Sequence, residues 1–225
     1  MPEPCLTQNL ARAAALTLAL CVGAAHAGST GPALGVPGLR LEQDIVGAKL
    51  RVFGEAILDS DTWWPQLAVG AEFKRARPSG LAPTLAALGA KTRGTDLYAS
   101  ATKLFLAQGV LANLTLRATK ANQNGLLGFG GAAHDTYRVL PEVSIACLLS
   151  RRVAIGAEYR AKPDNLNPSA LGSGLKEDAW SDAFLAWGVN KNFSVTLAWV
   201  DLGAIVPAVV PRRQHGAYLS GQLTL

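Results

Sequence analysis

The sequence predicts an all-β protein, an antiparallel up-and-down transmembrane β-barrel of about nine to ten strands that follows an N-terminal signal peptide. Apolar and polar residues alternate with a period of two in successive segments between Leu41 and Leu225. The connections between these segments are alternately short and long, as expected for tight periplasmic turns and longer outer loops. Together with the export signal at the N-terminus, this pattern indicates the outer membrane of a Gram-negative bacterium.

The N-terminus has the three parts of a secretory signal in the usual order. Arg12 ends a polar leader, residues 13–22 form an apolar run, and Ala25-His26-Ala27 is a small-residue cleavage site. We therefore predict a signal peptide at 1–27, a glycine- and proline-rich linker or weak strand at 28–40, and the barrel at 41–225. No later segment has the ~20 continuous apolar residues of a transmembrane helix, so the exported protein is either periplasmic or a barrel.

Composition excludes several classes of protein. Charged residues make up 16% of the chain, below the ~25% of soluble domains. Once the predicted signal is removed, Cys147 is the single cysteine left, so an internal disulfide is not expected. The net charge of +5 is modest, and no basic helix or nucleic-acid-reading motif accompanies it. We therefore expect no nucleic-acid partner.

Four strands are predicted before residue 120, and they form two hairpins. The strand at 110–119 alternates most cleanly, since Leu114 and Leu116 lie on one face and Thr115 and Arg117 on the other. A long loop at 75–94 separates the hairpins and contains a helical turn. The four predicted strands are 42–57, 64–74, 95–105 and 110–119.

Five more strands are predicted in the second half of the chain, with short turns alternating with long loops. Val143 and Ile145 lie opposite Glu142 and Ser144 in the first of these strands. The long outer loops expected in the chain are 75–94, 120–135 and 163–178. The five further strands are 136–149, 153–162, 179–189, 193–202 and 216–225.

Alternation alone also fits a soluble sandwich or a lipocalin-like barrel with an oily core. Full charges within the polar faces, opposite simple faces of Leu, Val and Ala, favour the inverted arrangement with a polar lumen. These charges either pair across strands and fill the interior or line a narrow polar path, and the small strand number favours pairing. The lumen-facing candidates are Lys49, Arg51, Glu72, Arg117, Arg138, Glu142, Glu158 and Arg160.

Aromatic residues are concentrated near the predicted strand ends. Trp63, Trp64 and Trp187 lie at the turn ends, and Tyr137 and Trp199 lie toward the loop ends. This distribution resembles the two interfacial girdles of membrane barrels. Aromatic residues also favour strands in general, which is the simpler alternative.

Closure of the barrel needs one more strand. If the last strand ends in the periplasm, the strand at 42–57 begins outside, whereas the exported chain begins inside. Gly28–Arg40 is the material left for a further strand, and its glycine and proline content is poor for one. Either this segment forms a weak tenth strand or the barrel is incompletely closed, which leaves costly unpaired backbone groups at its edge.

No catalytic, cofactor-binding or metal-binding residues are predicted, and we expect the protein not to be an enzyme. His134 and His215 lie in predicted outer loops and lack a serine at a usable spacing. The glycine-rich stretch 125–131 lacks the Lys-Ser/Thr ending of a phosphate-binding loop, so a flexible loop is expected there. Lys162-Pro163-Asp164-Asn165 is interpreted as a turn that ends a strand.

Five stretches resemble a family of uncharacterised proteobacterial outer-membrane barrel proteins, known as a domain of unknown function. They are 101–108, 119–131, 148–152, 156–166 and 199–203. The resemblance covers about Leu41 to the end. Members of that family are usually longer, with further strands before the segment 42–57, so this chain resembles a shortened member. The resemblance implies a fold and a location, and no activity.

We therefore expect an outer-membrane β-barrel protein of unknown specific activity, porin-like in allowing passive passage of small solutes. The alternative is a non-transporting structural or surface-binding barrel that acts through its long outer loops. The expected partners are outer-membrane lipid, lipopolysaccharide and the barrel assembly machinery. The oligomeric state stays open.

Overall fold

Ten antiparallel strands form a single sheet in which each strand pairs with its neighbours in chain order. The computed structural model describes residues 21–28, 40–56, 62–166, 175–205, 207–208 and 211–223. A short helix, α1 (Ala82–Ala87), lies between two of the strands. The strands are β1 (Cys21–Gly28), β2 (Arg40–Phe53), β3 (Gln66–Ser79), β4 (Arg93–Phe105), β5 (Val110–Thr119), β6 (Arg138–Leu148), β7 (Val153–Arg160), β8 (Trp180–Gly188), β9 (Phe193–Gly203) and β10 (Gln214–Leu223).

The sheet curls into a half-barrel with two edges. Within the described residues, β1 pairs with β2 alone and β10 pairs with β9 alone. The predicted all-β, antiparallel, up-and-down topology is confirmed. Among the helices that the structure describes, none is long and apolar enough to cross a membrane.

The two faces of the sheet have the polarity that the inverted interpretation predicts. Leu116 and Val139 belong to the convex face and are 48% and 66% exposed. Asp96 and Thr119 belong to the concave face and are 0% and 4% exposed. The polar side chains are therefore inside and the apolar side chains outside, which is the reverse of a soluble sandwich with an oily core.

The strand β3 is longer than the sequence predicted, because it continues to Ser79 where a loop at 75–94 was expected. Arg75 and Arg77 fall within that predicted loop, but both lie on the exposed face of a continuing ladder. Arg77 forms a salt bridge with Asp44 of β2, so the charged side chains extend the pairing instead of ending it. The predicted helical turn in this connection is confirmed as α1.

The remaining predicted strands match observed strands with small changes at their ends. The first, predicted at 42–57, is β2, which ends at Phe53, and residues 57–61 lie outside the described residues. The sixth, predicted at 153–162, is β7, which ends at Arg160. The strand at 110–119 was predicted with the bounds that β5 has.

The additional strand lies earlier in the chain than expected. The weak tenth strand was sought within 28–40, whereas β1 spans Cys21–Gly28 and pairs with Glu42–Lys49 of β2. Residues 29–39 lie outside the described residues. The signal peptide at 1–27 stays a prediction, and its last seven residues belong to β1.

The main buried apolar cluster lies at the loop end of the sheet, where side chains of the long connections pack with Leu41 of β2. Leu127 is 1% exposed, and the connections of β3–β4, β5–β6, β7–β8 and β9–β10 all contribute to the same cluster. Burial of these side chains stabilises the loop end of the half-barrel through the hydrophobic effect. The cluster consists of Leu41, Leu85, Leu127, Leu166 and Ile205.

Replacing Leu127 with alanine will lower the free energy of unfolding by about 2–5 kcal/mol, because it leaves a cavity in this cluster. The measurement is urea unfolding of the protein refolded in detergent. Leu219→Ala is the matched control, since Leu219 is 71% exposed on the convex face. An equal loss in the two variants would contradict the placement of the core among the loops.

Candidate functional site: the concave polar face and the strap across it

Arg117 on β5 is the centre of the concave face. Its Nε donates to Glu142 Oε1 at 2.7 Å and its Nη1 donates to Glu72 Oε2 at 2.8 Å. Glu142 lies on β6 and Glu72 on β3, so a single guanidinium joins carboxylates on either side of its own strand. Its planar fork of donors suits this task better than a lysine ammonium would.

Two more cations extend this contact in both directions. Lys74 on β3 lies 2.7 Å from Asp96 Oδ2 and 3.0 Å from Glu72 Oε2. Arg160 on β7 lies 3.0 Å from Glu142 Oε1. We call this group of three cations and three carboxylates the charge chain, and its formal charges cancel. Its members are Arg160, Glu142, Arg117, Glu72, Asp96 and Lys74.

Four of the predicted lumen-facing residues belong to the charge chain: Glu72, Arg117, Glu142 and Arg160. Two members, Lys74 and Asp96, were not among the predicted candidates. A signal for Asp96 was present, because the two-residue spacing of Asp96, Tyr98 and Ser100 puts all three on one face of a predicted strand.

The other four candidates lie away from the charge chain. Arg51 forms a salt bridge with Glu55 at the short-turn end of the sheet. Glu158 accepts a hydrogen bond from Ser144 Oγ at 3.0 Å. Lys49 is half-buried opposite Gly70, and Arg138 is exposed at the start of β6.

A flexible loop was predicted at 125–131, and the structure shows this stretch as part of a compact, largely buried loop at 120–135. Asn122 and Gln123 are fully buried, and Asn122 Nδ2 donates to Gly130 O at 2.7 Å within the loop. Its glycines turn the chain tightly: Gly125 and Gly128 have φ values of 101° and 79°, which other residues rarely adopt. Because this loop crosses the concave side of the sheet, we call residues 120–135 the strap.

The base of the strap is held by Phe129. Its backbone forms isolated β-bridges with Lys91 and Ala121, and its ring is 2% exposed. Gly94 makes room for the ring, since a Cβ at this position would lie 2.1 Å from Phe129 Cδ1. The base is therefore fixed by steric fit and backbone pairing.

The tip of the strap, Gln123 and Asn124, joins two distant parts of the sheet. On one side, Gln43 Nε2 donates to Asn124 O at 2.9 Å, and Lys74 Nζ donates to Asn124 Oδ1 at 3.2 Å. On the other side, Trp180 Nε1 donates to Gln123 Oε1 at 2.9 Å. Both tip residues have positive φ, 45° and 60°, a conformation that these contacts hold in place.

The charge chain and the strap form a ring that consists of polar contacts and of one strand pairing, between Arg160 and Trp180. Lys74 belongs to both, through Asp96 and through Asn124. At the opposite end, Arg160 of the charge chain is the cross-strand partner of Trp180, which binds the strap. The ring runs across β3 to β8 and returns through the strap.

Two buried titratable groups support the tip. Glu177 Oε2 accepts the backbone N–H of Gln123 at 2.8 Å, and burial raises the pKa of this carboxyl to about 8. Lys162 Nζ lies 3.6 Å from the centre of the Trp180 ring, and burial, aided by Arg160, lowers its pKa to about 6. Residues 162–165 were interpreted only as a turn that ends a strand. Lys162 also packs over the ring of Trp180, which binds the strap.

A polar cavity of about 380 Å³ lies on the concave face beside the charge chain. Glu158 and Asp182 are cross-strand neighbours in its wall, and Asn113 and Ser144 also line it. No group of three or more metal-ligating side chains occurs among the described residues. His134 is exposed in the strap and His215 packs on Trp199, with 5.2 Å between ring centres.

Replacing Arg117 with methionine will lower the free energy of unfolding by about 3–5 kcal/mol, because it leaves buried carboxylates without their cation. Adding Glu72→Gln and Glu142→Gln to the same chain should recover part of the loss. The measurement is urea unfolding in detergent, and Arg138→Met is the control because Arg138 is exposed. Equal losses for Arg117→Met and Arg138→Met would contradict the central place of Arg117.

The stability of the protein should change little between pH 6 and 8, because Glu177 and Lys162 titrate with opposite effects. The pKa of Glu177 is raised from 4.5 to about 8, so the folded protein binds the extra proton. The free energy of unfolding therefore falls as pH rises through this range. The pKa of Lys162 is lowered from 10.5 to about 6, so the unfolded chain binds the extra proton and stability rises with pH.

Each single variant should therefore show the pH dependence of stability that the remaining group causes. Between pH 6 and 8, Glu177→Gln should gain stability relative to the wild type and Lys162→Met should lose it, by at most about 1.4 kcal/mol per pH unit. Each group also acts on the other, so its absence increases the remaining shift without changing its direction. Unfolding midpoints that change with pH in the same way in all three proteins would refute this assignment.

Comparison with known proteins identifies a family. A family model described as a protein of unknown function (DUF3034) matches residues 8–222. This match includes the segment before Leu41, which the resemblance of individual stretches did not cover. Searches of the curated proteins and of the solved structures gave no match. Because the family model spans nearly the whole chain, the protein belongs to the DUF3034 family, whose function is unknown.

Proposed function

We propose that this protein is an outer-membrane β-barrel protein that is closed inside and acts as a structural or surface-binding barrel. The observation that carries this proposal is the inverted polarity of the sheet, with buried charges on the concave face and exposed aliphatic side chains on the convex face. Water gives such a convex face no favourable partner, whereas hydrocarbon does.

The exposed aromatic residues support a membrane position. Trp63 and Trp64 lie at the short-turn end with ring centres 4.4 Å apart, and Phe53 packs against Trp64. At the other end, Tyr137 is 50% exposed and donates its hydroxyl to Thr95 O. Amphipathic rings at both ends of an apolar band are suited to the two headgroup regions of a bilayer.

The contacts of the charge chain favour the non-transporting alternative. Its charges are paired across strands, and the strap spans the concave side next to it. An ion in such a passage would have to break contacts between partly desolvated charges. The long loops that carry the strap would then form the surface presented to lipopolysaccharide or to another partner.

Passage of small solutes is the second candidate, and the cavity beside Glu158 and Asp182 favours it. Planar bilayers separate the two candidates. The proposed protein, whose polar interior is filled by paired charges, should insert without channel events at any salt concentration. Steady conductance by the wild-type protein would overturn the closed interior and favour solute passage.

Brominated acyl chains will quench the fluorescence of this protein when it is refolded in vesicles, because Trp187 and Trp199 lie on the convex face. Replacing both with phenylalanine should remove much of this quenching. Trp180→Phe is the control, since Trp180 lines the concave cavity. A protein that stays in the aqueous phase and is quenched by acrylamide alone would contradict the membrane position.

A further inference from the structure

Two arginines face each other on the convex side, at the border between the apolar band and the long loops. Arg75 of β3 and Arg93 of β4 are direct cross-strand partners, and both are exposed. Like charges in this position repel each other. Neither guanidinium forms a salt bridge or a side-chain hydrogen bond with another residue in the described part of the chain. Asp44 on β2 lies opposite Arg75 on this face, but its carboxylate is bonded to Arg77. Within the described residues, the two arginines therefore form a positive pair without a direct ionic partner.

The residue row next to this pair is largely apolar. Phe73 is the cross-strand partner of Val46 and of Thr95, and it is 62% exposed. The surface thus changes from aromatic and aliphatic to doubly cationic between Phe73 and Arg75, two residues along the same strand face. A shallow groove of about 460 Å³ contains both parts, and its lining includes Val46, Phe73, Arg75 and Arg93, with Asp44 beside Arg75.

We propose that this groove binds the phosphate headgroup of an anionic outer-leaflet lipid, with the acyl chain of that lipid along Val46 and Phe73. Each guanidinium presents a planar fork of donors that matches phosphate oxygens. A bound phosphate removes the repulsion between the two arginines, and the apolar row accepts hydrocarbon. This assignment rests on the proposed membrane location and adds a defined lipid site to it.

Three neighbouring residues border the proposed lipid site. Arg77 is two residues beyond Arg75 but is neutralised by Asp44, so it adds little net charge. Gly94 lies between Arg93 and Thr95, and its position against Phe129 ties the site to the base of the strap. Tyr137 reaches over to Thr95 O at 3.0 Å and borders the same rim. The site is thus built on paired strands and not on a mobile loop.

Native mass spectrometry of the detergent-solubilised protein will test the proposal, with diphosphorylated lipid A as the probe. We expect the Arg75→Gln/Arg93→Gln variant to bind lipid A at least about ten-fold more weakly than the wild type, since each contact is a hydrogen bond to a charged group. The matched control is Arg151→Gln/Arg152→Gln, which removes two exposed charges at the opposite end and should change binding less than two-fold.

Two further ligands in the same experiment distinguish a lipid headgroup from free phosphate. Phosphatidylcholine should bind weakly, because its choline group neutralises the headgroup, and millimolar inorganic phosphate should compete poorly because it lacks an acyl chain. Equal binding of lipid A by the two double variants would overturn the site, as would equal binding of lipid A and phosphatidylcholine by the wild type. Insertion into vesicles is measured separately, so a protein that inserts without headgroup preference refutes the lipid site alone.

Discussion

The architecture depends on a single buried guanidinium. Arg117 sits between carboxylates from β3 and β6, and it is 7% exposed, so its charge is held almost entirely by protein groups. A charge in such a position is tolerated only when it is paired and hydrogen-bonded. The sheet curls with its charged face inward, and this curl shields from water the contact that Glu72 makes across β4 with Arg117. The exposed aliphatic face is the geometric consequence of this inward curl.

The strap connects strands that lie far apart in the curved sheet. Curvature alone would leave β2 and β3 connected to β8 only through the intervening strands. The tip of the strap connects them directly, through Asn124 on one side and Gln123 on the other. Because both residues need a backbone conformation that their neighbours must enforce, the tip is ordered by contacts with the walls. Each part of the ring therefore supports the other, which is the condition for cooperative polar networks.

The sequence contained enough information for the sheet but not for the strap. Strict alternation in 110–119 specified β5 correctly, since a strand with one apolar and one polar face has a single consistent register. The same alternation identified Arg117, Glu142 and Glu72 as members of one face. The pairing of Gln123 with Trp180 and of Asn124 with Gln43 left no local pattern, because these partners are 57 and 81 residues apart. The glycines of the strap were interpreted as a sign of flexibility, whereas they allow a compact turn.

The closed ring has a consequence for the order in which the chain folds. Gln123 Nε2 contacts the backbone at Ile205, 82 residues later, and Asn124 contacts Gln43, 81 residues earlier. Contacts over such sequence separations carry a large loop-closure entropy and form slowly. The hairpins β2–β3 and β4–β5 are local and form without the strap. We therefore expect the strap to dock after the local hairpins have formed, so that the concave face is exposed to water until this late step.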